Sequence, residues 1–378
     1  MDFTLSDEQQ AIADLAHRIL SERLPADRIR RLEESDDWFA DDVWAELGQA
    51  DLLGIALPEA DGGGGFGILE AGLIAEQIGR TVAPVPYLSS IVSAALPLAQ
   101  FGTAAQRAAL LPDVIAGRAT LTMALYEPWD TAVPAVPSTQ AQPDGAGWRL
   151  DGDKSLVVGA DRARAILVPA RTGESTSAVF LVAPDADGVS LLRETAVTGE
   201  PQWTMTLHGV IAAADAMLGG PEQGAEIVGW TTDRLLAAIC AMQTGVCEEA
   251  LAITARYVSE REQFGSKLGT FQAVGQRVAD AYIDTEGIRL TALQALWRLS
   301  EGLDARDELM TAKFWAAEGG QRVVHAAQHL HGGIGVDLDY PIHRYFRWAK
   351  VLELTLGGAS ASLLRLGASL AAQPAGTG

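Results

Sequence analysis

The sequence predicts an α+β protein of several domains, with an N-terminal α-helical domain, a middle antiparallel β-domain and a C-terminal helical bundle. Three observations predict this fold class. Apolar residues recur at helical spacing towards both ends of the 378-residue chain. Between these parts, short apolar runs alternate with Gly, Pro and Asp, which is typical of antiparallel strands. The helical segments after residue 222 are much longer than an average helix, which favours a bundle or an oligomer core.

The N-terminal helical domain is predicted to span residues 1–118. Ser6 is a candidate helix N-cap, because a Ser hydroxyl can accept a hydrogen bond from the first helical turn. Apolar residues follow it at helical spacing: Ile12, Leu15, Ala16 and Ile19. The glycine-rich segment 61–67 lacks the preceding strand and the spacing of a dinucleotide-binding motif. We interpret it as a loop between two helices.

The β-domain is predicted to span residues 119–221 and the C-terminal bundle residues 222–372. The expected strands are the apolar runs 121–125, 148–150, 156–158, 165–168, 178–182 and 205–207. Asp151-Gly152 predicts a hairpin turn after one of them. Long helices are expected in the segments 234–260, 271–303 and 308–331. The last residues, 373–378, are rich in Ala, Gly and Thr and are predicted to be disordered.

Charge and composition exclude several classes of protein. The formal net charge of −21 argues against nucleic acid or an anionic membrane as the main partner. The chain has no run of about eighteen apolar residues, so no membrane span is expected. Its acidic N-terminus lacks the features of a signal peptide. Cys240 and Cys247 are too far apart along one helix for a disulfide, so we expect buried thiols in a reducing cytoplasm.

Two motifs in the last third of the chain carry most of the functional information. The segment Arg261-Glu262-Gln263-Phe264-Gly265 leads into Phe271-Gln272. The segment His331-Gly332-Gly333-Ile334-Gly335 precedes Asp339-Tyr340-Pro341-Ile342-His343-Arg344-Tyr345. Together they resemble the C-terminal signature of the acyl-CoA dehydrogenase family, flavoenzymes that oxidise a thioester between Cα and Cβ. The order of domains is similar to that family over nearly the whole chain, and the resemblance implies a C-terminal four-helix bundle.

The resemblance implies FAD as the cofactor and places both motifs against the FAD of a neighbouring subunit. A guanidinium such as that of Arg261 suits pyrophosphate oxygens, and Phe264 offers an apolar face to the adenine. For Arg261 alone, a solvated side chain at a helix end is the alternative. Glycine pairs leave room where backbone approaches a ligand. The candidate cofactor-binding residues are Arg261, Gln263, Phe264, Leu268, Gln272, His329, Gly332 and Gly333.

Three histidines near the second motif do not predict a metal site. The spacing of His329, His331 and His343 matches no common zinc pattern, and no Cys is nearby. A histidine before the glycine pair is common in the family, whereas the position of His329 usually holds Gln. We therefore expect no metal.

The residues that would hold this chain's own flavin ring depart from the family pattern. The family's Trp-x-Thr/Ser strand is replaced by Leu156-Val157-Val158. Leu156 cannot stack as Trp does, and Val158 cannot donate a side-chain hydrogen bond. The usual Gly- and Ser-rich loop after the first strand is replaced by Glu127-Pro128-Trp129-Asp130-Thr131.

The catalytic base departs as well. Abstraction of the α-proton of a thioester needs a carboxylate, and the position that usually supplies it is Gly357. A minority of the family takes the base from the long helix, immediately before an Arg-Leu pair, where this chain has Asp233. The alternative for Asp233 is a helix cap or first-turn acid. Asp is also one methylene shorter than the family's Glu, and small misplacements are costly in catalysis.

Groups that reach a neighbour's cofactor are thus mostly kept, and groups that serve the chain's own flavin are lost. In segments 271–280 and 356–359 the chain resembles the non-catalytic partner in heterotetrameric (α2β2) actinobacterial acyl-CoA dehydrogenases that shorten sterol side chains. This resemblance implies a bulky acyl-CoA substrate, a paralogous catalytic subunit and an electron-transfer flavoprotein as acceptor. Two alternatives stay open. One is a homotetramer that uses Asp233 as base, and the other is a non-redox acyl-binding or structural protein.

Overall fold

The computed structural model describes residues 3–129, 132–134 and 136–372. The fold class is confirmed, because helices, a mainly antiparallel sheet and helices again follow one another along the chain. Contacts divide the chain into two compact units. Unit 1 comprises Met1–Arg30, Ile68–Ala83 and Leu236–Gly378, and unit 2 comprises Arg31–Gly67 and Pro84–Leu235. The tail predicted to be disordered, 373–378, lies outside the described residues.

Twelve α-helices are present in the described part of the chain. They are α1 Asp7–Arg23, α2 Ala26–Glu33, α3 Asp41–Gln49, α4 Ile68–Thr81, α5 Leu96–Phe101, α6 Ala104–Ile115, α7 Gly224–Glu260, α8 Gln272–Ser300, α9 Arg306–Phe314, α10 Gly320–His331, α11 Ile342–Leu354 and α12 Ala359–Ala372. Ser6 caps α1 as predicted, since its hydroxyl accepts the N–H of Gln9 and the Gln9 side chain accepts the N–H of Ser6.

The long C-terminal helices differ from the expected ones at their ends. Helix α7 begins at Gly224, well before the expected residue 234, and Ile227 and Thr231 in its upstream part are buried. The segment 308–331 is not one helix, since a π-helical turn, Trp315–Gly319, separates α9 from α10. Helices α4 and α7 approach closely in unit 1: a Cβ on Gly245 would lie 1.9 Å from the carbonyl oxygen of Glu76. Glycine at this position is therefore required by the packing.

Eight strands form the sheet of unit 2. They are β1 Thr120–Met123, β2 Gln140–Asp144, β3 Gly147–Val158, β4 Ala163–Arg171, β5 Ser177–Val182, β6 Val189–Thr195, β7 Pro201–Ala213 and β8 Met217–Leu218. Their order is β6-β7-β3-β2-β4-β5-β8, and β1 pairs with β4. The sheet is antiparallel as predicted except that β1, and one residue of β2, pair parallel with β4. Its apolar core includes Leu150, Ile166, Phe180 and Met205.

The hairpin predicted at Asp151-Gly152 is wrong. Strand β3 runs through these residues, and they lie at a shift in its register with β7. Gly152 has a φ of 148°, and the Asp151 carboxylate accepts the N–H of Gly209 at 2.8 Å. The turn lies instead at Gly145-Ala146, directly after Asp144, between β2 and β3. Both sites read Asp-Gly, so only the pairing with β7 distinguishes the bulge from the turn.

The glycine-rich segment 61–67 is a loop, as predicted. It follows a short 3-10 helix, Glu59–Asp61, and leads into α4. A Cβ on Gly63 would lie 2.3 Å from the carbonyl oxygen of Leu57, so the missing side chain serves the packing of the loop.

One described helix, α7, is long and apolar enough to cross a membrane by length and composition, contrary to the expectation that no segment would qualify. However, 78% of its most apolar window is buried inside the protein. This burial is typical of the core helix of a globular protein.

Candidate functional site

The first motif forms a short, protruding hairpin after α7. Strands β9 Glu262–Gln263 and β10 Ser266–Lys267 pair antiparallel across Phe264-Gly265. Both turn residues have positive φ, 56° for Phe264 and 77° for Gly265. The Phe264 side chain is 92% exposed, and its ring is edge-on to Phe271 at 6.3 Å. A bulky residue in left-handed backbone is strained, and such strain often occurs at ligand-binding sites.

The remaining candidate residues of this motif surround the hairpin. Arg261 is exposed, its N–H donates to the Tyr257 carbonyl at 2.8 Å, and its own carbonyl accepts the N–H of Leu268 at 2.9 Å. The Gln263 amide donates to the carbonyl of Glu262. Gln272 is exposed at the first position of α8. The backbone of the segment is thus ordered by the chain itself, while the side chains of Arg261, Phe264 and Gln272 face outwards.

A stack of rings joins the first motif to the second. Tyr257, one turn before Arg261, stacks on His331 with ring centroids 4.4 Å apart and planes at 26°. Tyr340 completes the cluster, 5.1 Å from the ring of His331. Because His331 immediately precedes Gly332-Gly333, this stack brings both motifs to the same end of unit 1. Tyr257 was not predicted, because its ring contact is with a residue more than seventy positions away in the chain.

The glycine pair leaves backbone open at this end. Gly332 has a φ of 62° and ends α10, and a Cβ on either Gly332 or Gly333 would meet nothing within 4 Å. Packing therefore does not explain either glycine, whereas the backbone of Gly332, with a φ of 62° and a ψ of −137°, by itself favours glycine. His329, in the last turn of α10, is exposed beside them.

The histidines have separate surroundings. His331 is buried, its Nδ1 lies 2.8 Å from the carbonyl oxygen of Ala327, and burial lowers its pKa. The Nδ1 of His343 lies 2.7 Å from the carbonyl oxygen of Tyr340. Among the residues that the structure describes, no group of three or more His, Cys, Asp or Glu could hold a metal ion.

Cys240 and Cys247 are free, buried thiols, as expected, and burial raises the pKa of each to about 12.

Gly357, the position predicted to correspond to the family's usual base, lies in a closed turn at the end of α11. Leu356 is buried with a φ of 60°, and Gly357 has a φ of 100°. Each carbonyl of the last helical turn has a donor. Thr355 donates to Val351, Gly357 to Leu354, and the Lys313 ammonium to Leu352 at 2.5 Å and Glu353 at 3.0 Å. Lys313 is fully buried, and burial lowers its pKa to about 8. This clamp was not predicted, since a lysine in a helix is usually a surface residue.

Asp233 lies inside α7 and is exposed. The interpretation of Asp233 as a cap or first-turn acid is wrong, because α7 begins nine residues earlier, at Gly224. The neighbouring Arg234 is held by Trp230: its guanidinium lies 3.5 Å from the ring centroid and donates to the Trp230 carbonyl at 3.2 Å. The helix end therefore offers no structural reason for an acid at position 233.

The departures in the sheet have structural counterparts in unit 2. Leu156 lies at a register shift of β3, with a φ of 55° and a side chain that is 47% exposed. Val158 is partly buried at the end of the same strand. Trp129 is 99% exposed with a φ of 72°, and Asp130 and Thr131, which follow it, lie outside the described residues. No aromatic side chain stands at the described positions 156–158.

A buried ion pair anchors the loop that carries Trp129. The Glu127 carboxylate accepts the Lys154 ammonium at 2.7 Å and the backbone N–H groups and hydroxyls of Ser138 and Thr139. Burial acts to raise the pKa of Glu127, but Lys154 and the hydroxyls outweigh it and lower the pKa to about 2. The sequence identified Glu127 only as part of an altered loop and missed its partner.

Similarity to known proteins extends over nearly the whole chain. The models of the acyl-CoA dehydrogenase N-terminal and C-terminal domains match residues 6–118 and 222–370. Acyl-CoA dehydrogenase FadE27 of Mycobacterium tuberculosis is 39% identical over 99% of this chain and 100% of its own length. A variant of the Tcur3481-Tcur3483 steroid ACAD has a TM-score of 0.90 at 44% identity, covering 97% of this chain and 99% of that chain. The ChsE4-ChsE5 complex from Mycobacterium tuberculosis has a TM-score of 0.93 at 39% identity, covering 99% and 100%.

Proposed function

The chain belongs to the acyl-CoA dehydrogenase family, and we propose that it is the non-catalytic subunit of a heteromeric, FAD-dependent member. The observation that carries this proposal is a contrast within unit 1. The hairpin at Phe264 presents side chains outwards at the expense of backbone strain, whereas the turn at Gly357 has no acid. A chain built in this way can complete a partner's cofactor site, but it lacks the usual base of its own.

The exposed end of unit 1 has groups that suit an edge of FAD. Arg261 would bind the pyrophosphate, Phe264 would pack against the adenine side, and the bare backbone at Gly332-Gly333 would let the cofactor approach. Gln263, Leu268, Gln272 and His329 would complete this contact. When bound, FAD supplies the hydride acceptor for oxidation of the acyl thioester. The residues of this chain bind and orient the cofactor.

The chain's own flavin-ring position is a poor fit. Leu156 and Val158 offer neither a stacking ring nor a hydrogen-bond donor, and Leu156 is held in left-handed backbone. We therefore assign one cofactor to each pair of chains, held by the catalytic partner and completed by this one. One of the two similar solved structures, Tcur3481-Tcur3483, is a steroid ACAD. Its name and that of the ChsE4-ChsE5 complex each give two components. On that basis we propose a sterol side-chain acyl-CoA as substrate, an α2β2 tetramer and an electron-transfer flavoprotein as acceptor.

One observation favours a second candidate, a homotetramer that uses Asp233 as base. Asp233 is exposed on α7 and lies nine residues after the first residue of this helix. In this alternative, Asp233 would take the α-proton, and the chain would bind its own FAD.

Expression with and without a paralogue separates the two. We expect the chain alone to purify without a flavin spectrum, and co-expression with a family member encoded nearby to give a flavin-bound, active complex. The homotetramer would be established if the chain alone gave active, flavin-bound protein. Its activity would then have to be lost in Asp233→Asn and retained in Asp233→Glu. Unchanged activity of the complex with Asp233→Asn would remove Asp233 from the chemistry.

A second experiment tests the shared site directly. In the complex, Arg261→Gln should weaken FAD binding about 10- to 100-fold, because a charge-assisted hydrogen bond contributes about 1.5–3 kcal/mol. Arg277→Gln, at an exposed position of α8, is the matched control. The readout is the flavin-to-protein absorbance ratio after dialysis. Equal flavin retention in both variants would contradict the role of Arg261.

A further inference from the structure

The exposed hairpin starts from the last turn of α7, and one aromatic side chain anchors this turn. Three of the five residues 256–260 are exposed, and only Tyr257 and Val258 are partly or fully buried. The end of a helix frays unless packing fixes it, because its last carbonyls have no partners within the helix. Arg261 follows at once, and its N–H donates to the Tyr257 carbonyl at 2.8 Å. The direction in which Arg261 leaves the helix therefore depends on the turn that Tyr257 anchors.

The end of α10 supplies the surface on which Tyr257 rests. The Tyr257 ring stacks on His331 with centroids 4.4 Å apart, and its hydroxyl donates to the His331 carbonyl at 3.4 Å. The imidazole is itself held in place, since its Nδ1 lies 2.8 Å from the carbonyl oxygen of Ala327 and the Tyr340 ring lies 5.1 Å away. A carbonyl only accepts, so Nδ1 carries the proton, and burial lowers the pKa of His331 and favours the neutral ring. His331 is thus a fixed platform for Tyr257.

The same platform carries the turn that contains the glycine pair. His331 is the last residue of α10, and Gly332 follows it directly. The Gln328 amide donates to the carbonyl of Gly335 at 2.5 Å, and a Cβ on Gly335 would lie 3.3 Å from the Cβ of His331. The turn is therefore folded back onto the end of α10. A shift of Tyr257 on His331 would move the exposed hairpin relative to the glycine pair.

We propose that Tyr257 is a positioning residue of the shared FAD site, which fixes Arg261 relative to the glycine pair by stacking on His331. This inference rests on the function proposed above, because it requires both segments to contact one cofactor. Tyr257 acts through the placement of Arg261 and needs no contact with FAD. A guanidinium that is already in place loses less conformational freedom when it binds, and this preorganisation raises affinity. Loss of the stack should therefore weaken FAD binding although every group that contacts FAD remains.

Titration of FAD into the flavin-depleted complex tests the inference. Tyr257→Leu should raise the dissociation constant about two- to tenfold, which is the contribution of one aromatic pair. Tyr257→Phe keeps the ring and should bind FAD as the wild type does. Phe346→Leu is the matched control, because Phe346 contacts the ring of His325 at 4.8 Å between α10 and α11, away from both motifs. Equal affinity in Tyr257→Leu and Phe346→Leu would overturn the role of Tyr257.

A double-mutant cycle with Arg261→Gln separates positioning from a general loss of stability. If Tyr257 acts through Arg261, the loss of FAD affinity in the double variant should be smaller than the product of the two single losses. A purely structural effect of Tyr257→Leu would be independent of Arg261, and the two losses would then multiply. Losses that multiply would therefore contradict the inference.

Hydrogen exchange of the chain alone gives a readout that needs no flavin. The amides of Arg261 and Leu268, which donate to backbone carbonyls at the base of the hairpin, should exchange faster in Tyr257→Leu than in Phe346→Leu. Unchanged protection of both amides would mean that the stack does not hold the hairpin. A failure of the function proposed above looks different, because Arg261→Gln would then leave FAD binding unchanged while Tyr257→Leu still sped up exchange.

Discussion

Two left-handed turns in unit 1 differ in what they do with similar backbones. At Phe264-Gly265 the strained residue is an exposed ring on a hairpin that few intrachain contacts support. At Leu356-Gly357 the strained residue is buried, and Lys313 binds the helix carbonyls just before it. The first turn presents a side chain to solvent, and the second closes a helix end. Positive φ alone therefore does not separate these two turns, whereas the exposure of the side chain does.

The largest expected effect is at the closed turn. Lys313→Met removes both ammonium hydrogen bonds to the end of α11, one in buried and one in partly buried surroundings. We expect the free energy of unfolding to fall by about 2–4 kcal/mol. Urea denaturation measures it, with the exposed Lys267→Met as control. Equal stability of the two variants would mean that the clamp contributes nothing.

An acid introduced at the closed turn should not create dehydrogenase activity. Gly357→Glu places a side chain at a φ of 100°, which costs about 1–3 kcal/mol. We expect a less stable chain with no dehydrogenase activity when it is expressed alone. Gly367→Glu, within helix α12 and with nothing within 4 Å of its Cβ position, is the control and should not destabilise. Activity gained by Gly357→Glu alone would show that only the acid was missing.

A smaller effect is expected at the glycine pair. Gly332→Ala at a φ of 62° should lower stability by about 1–2 kcal/mol. In the complex it should also lower the flavin-to-protein ratio, because its Cβ enters open space beside the exposed motif. Gly275→Ala, in helix α8 with open space around it, serves as control. Full flavin retention in Gly332→Ala would show that this backbone does not contact the cofactor.

The smallest effect, and one of opposite sign, is expected at the exposed turn. Phe264→Asn creates Asn-Gly, the dipeptide that two-residue hairpins prefer, and should raise the stability of the chain by about 0.5–1 kcal/mol. Flavin retention by the complex should fall in the same variant. Thermal unfolding and the absorbance ratio measure the two. If Phe264→Asn kept its flavin or lost stability, the proposed difference in role between the exposed turn and the closed turn would be wrong.

Much of the fold followed from local patterns. The capping box at Ser6, the alternation of apolar runs and turns, and the long apolar helices all depend on residues close in sequence. The errors arose where the partner is distant. Asp144-Gly145 and Asp151-Gly152 are locally alike, but the first leads into the turn before β3, whereas the second lies at a bulge opposite β7. Similarly, the true start of α7 removed the capping explanation for Asp233.

The sequence by itself determined the family, the order of the domains and the missing acid at position 357, because each is a property of residue identity at a fixed spacing. Tertiary structure decided which of these residues act together. It brought Tyr257 onto His331 and so joined the two motifs, placed Lys313 under the closed turn, and buried Lys154 against Glu127. Such contacts join residues far apart in the chain, and only the folded packing of the helices fixes their distances.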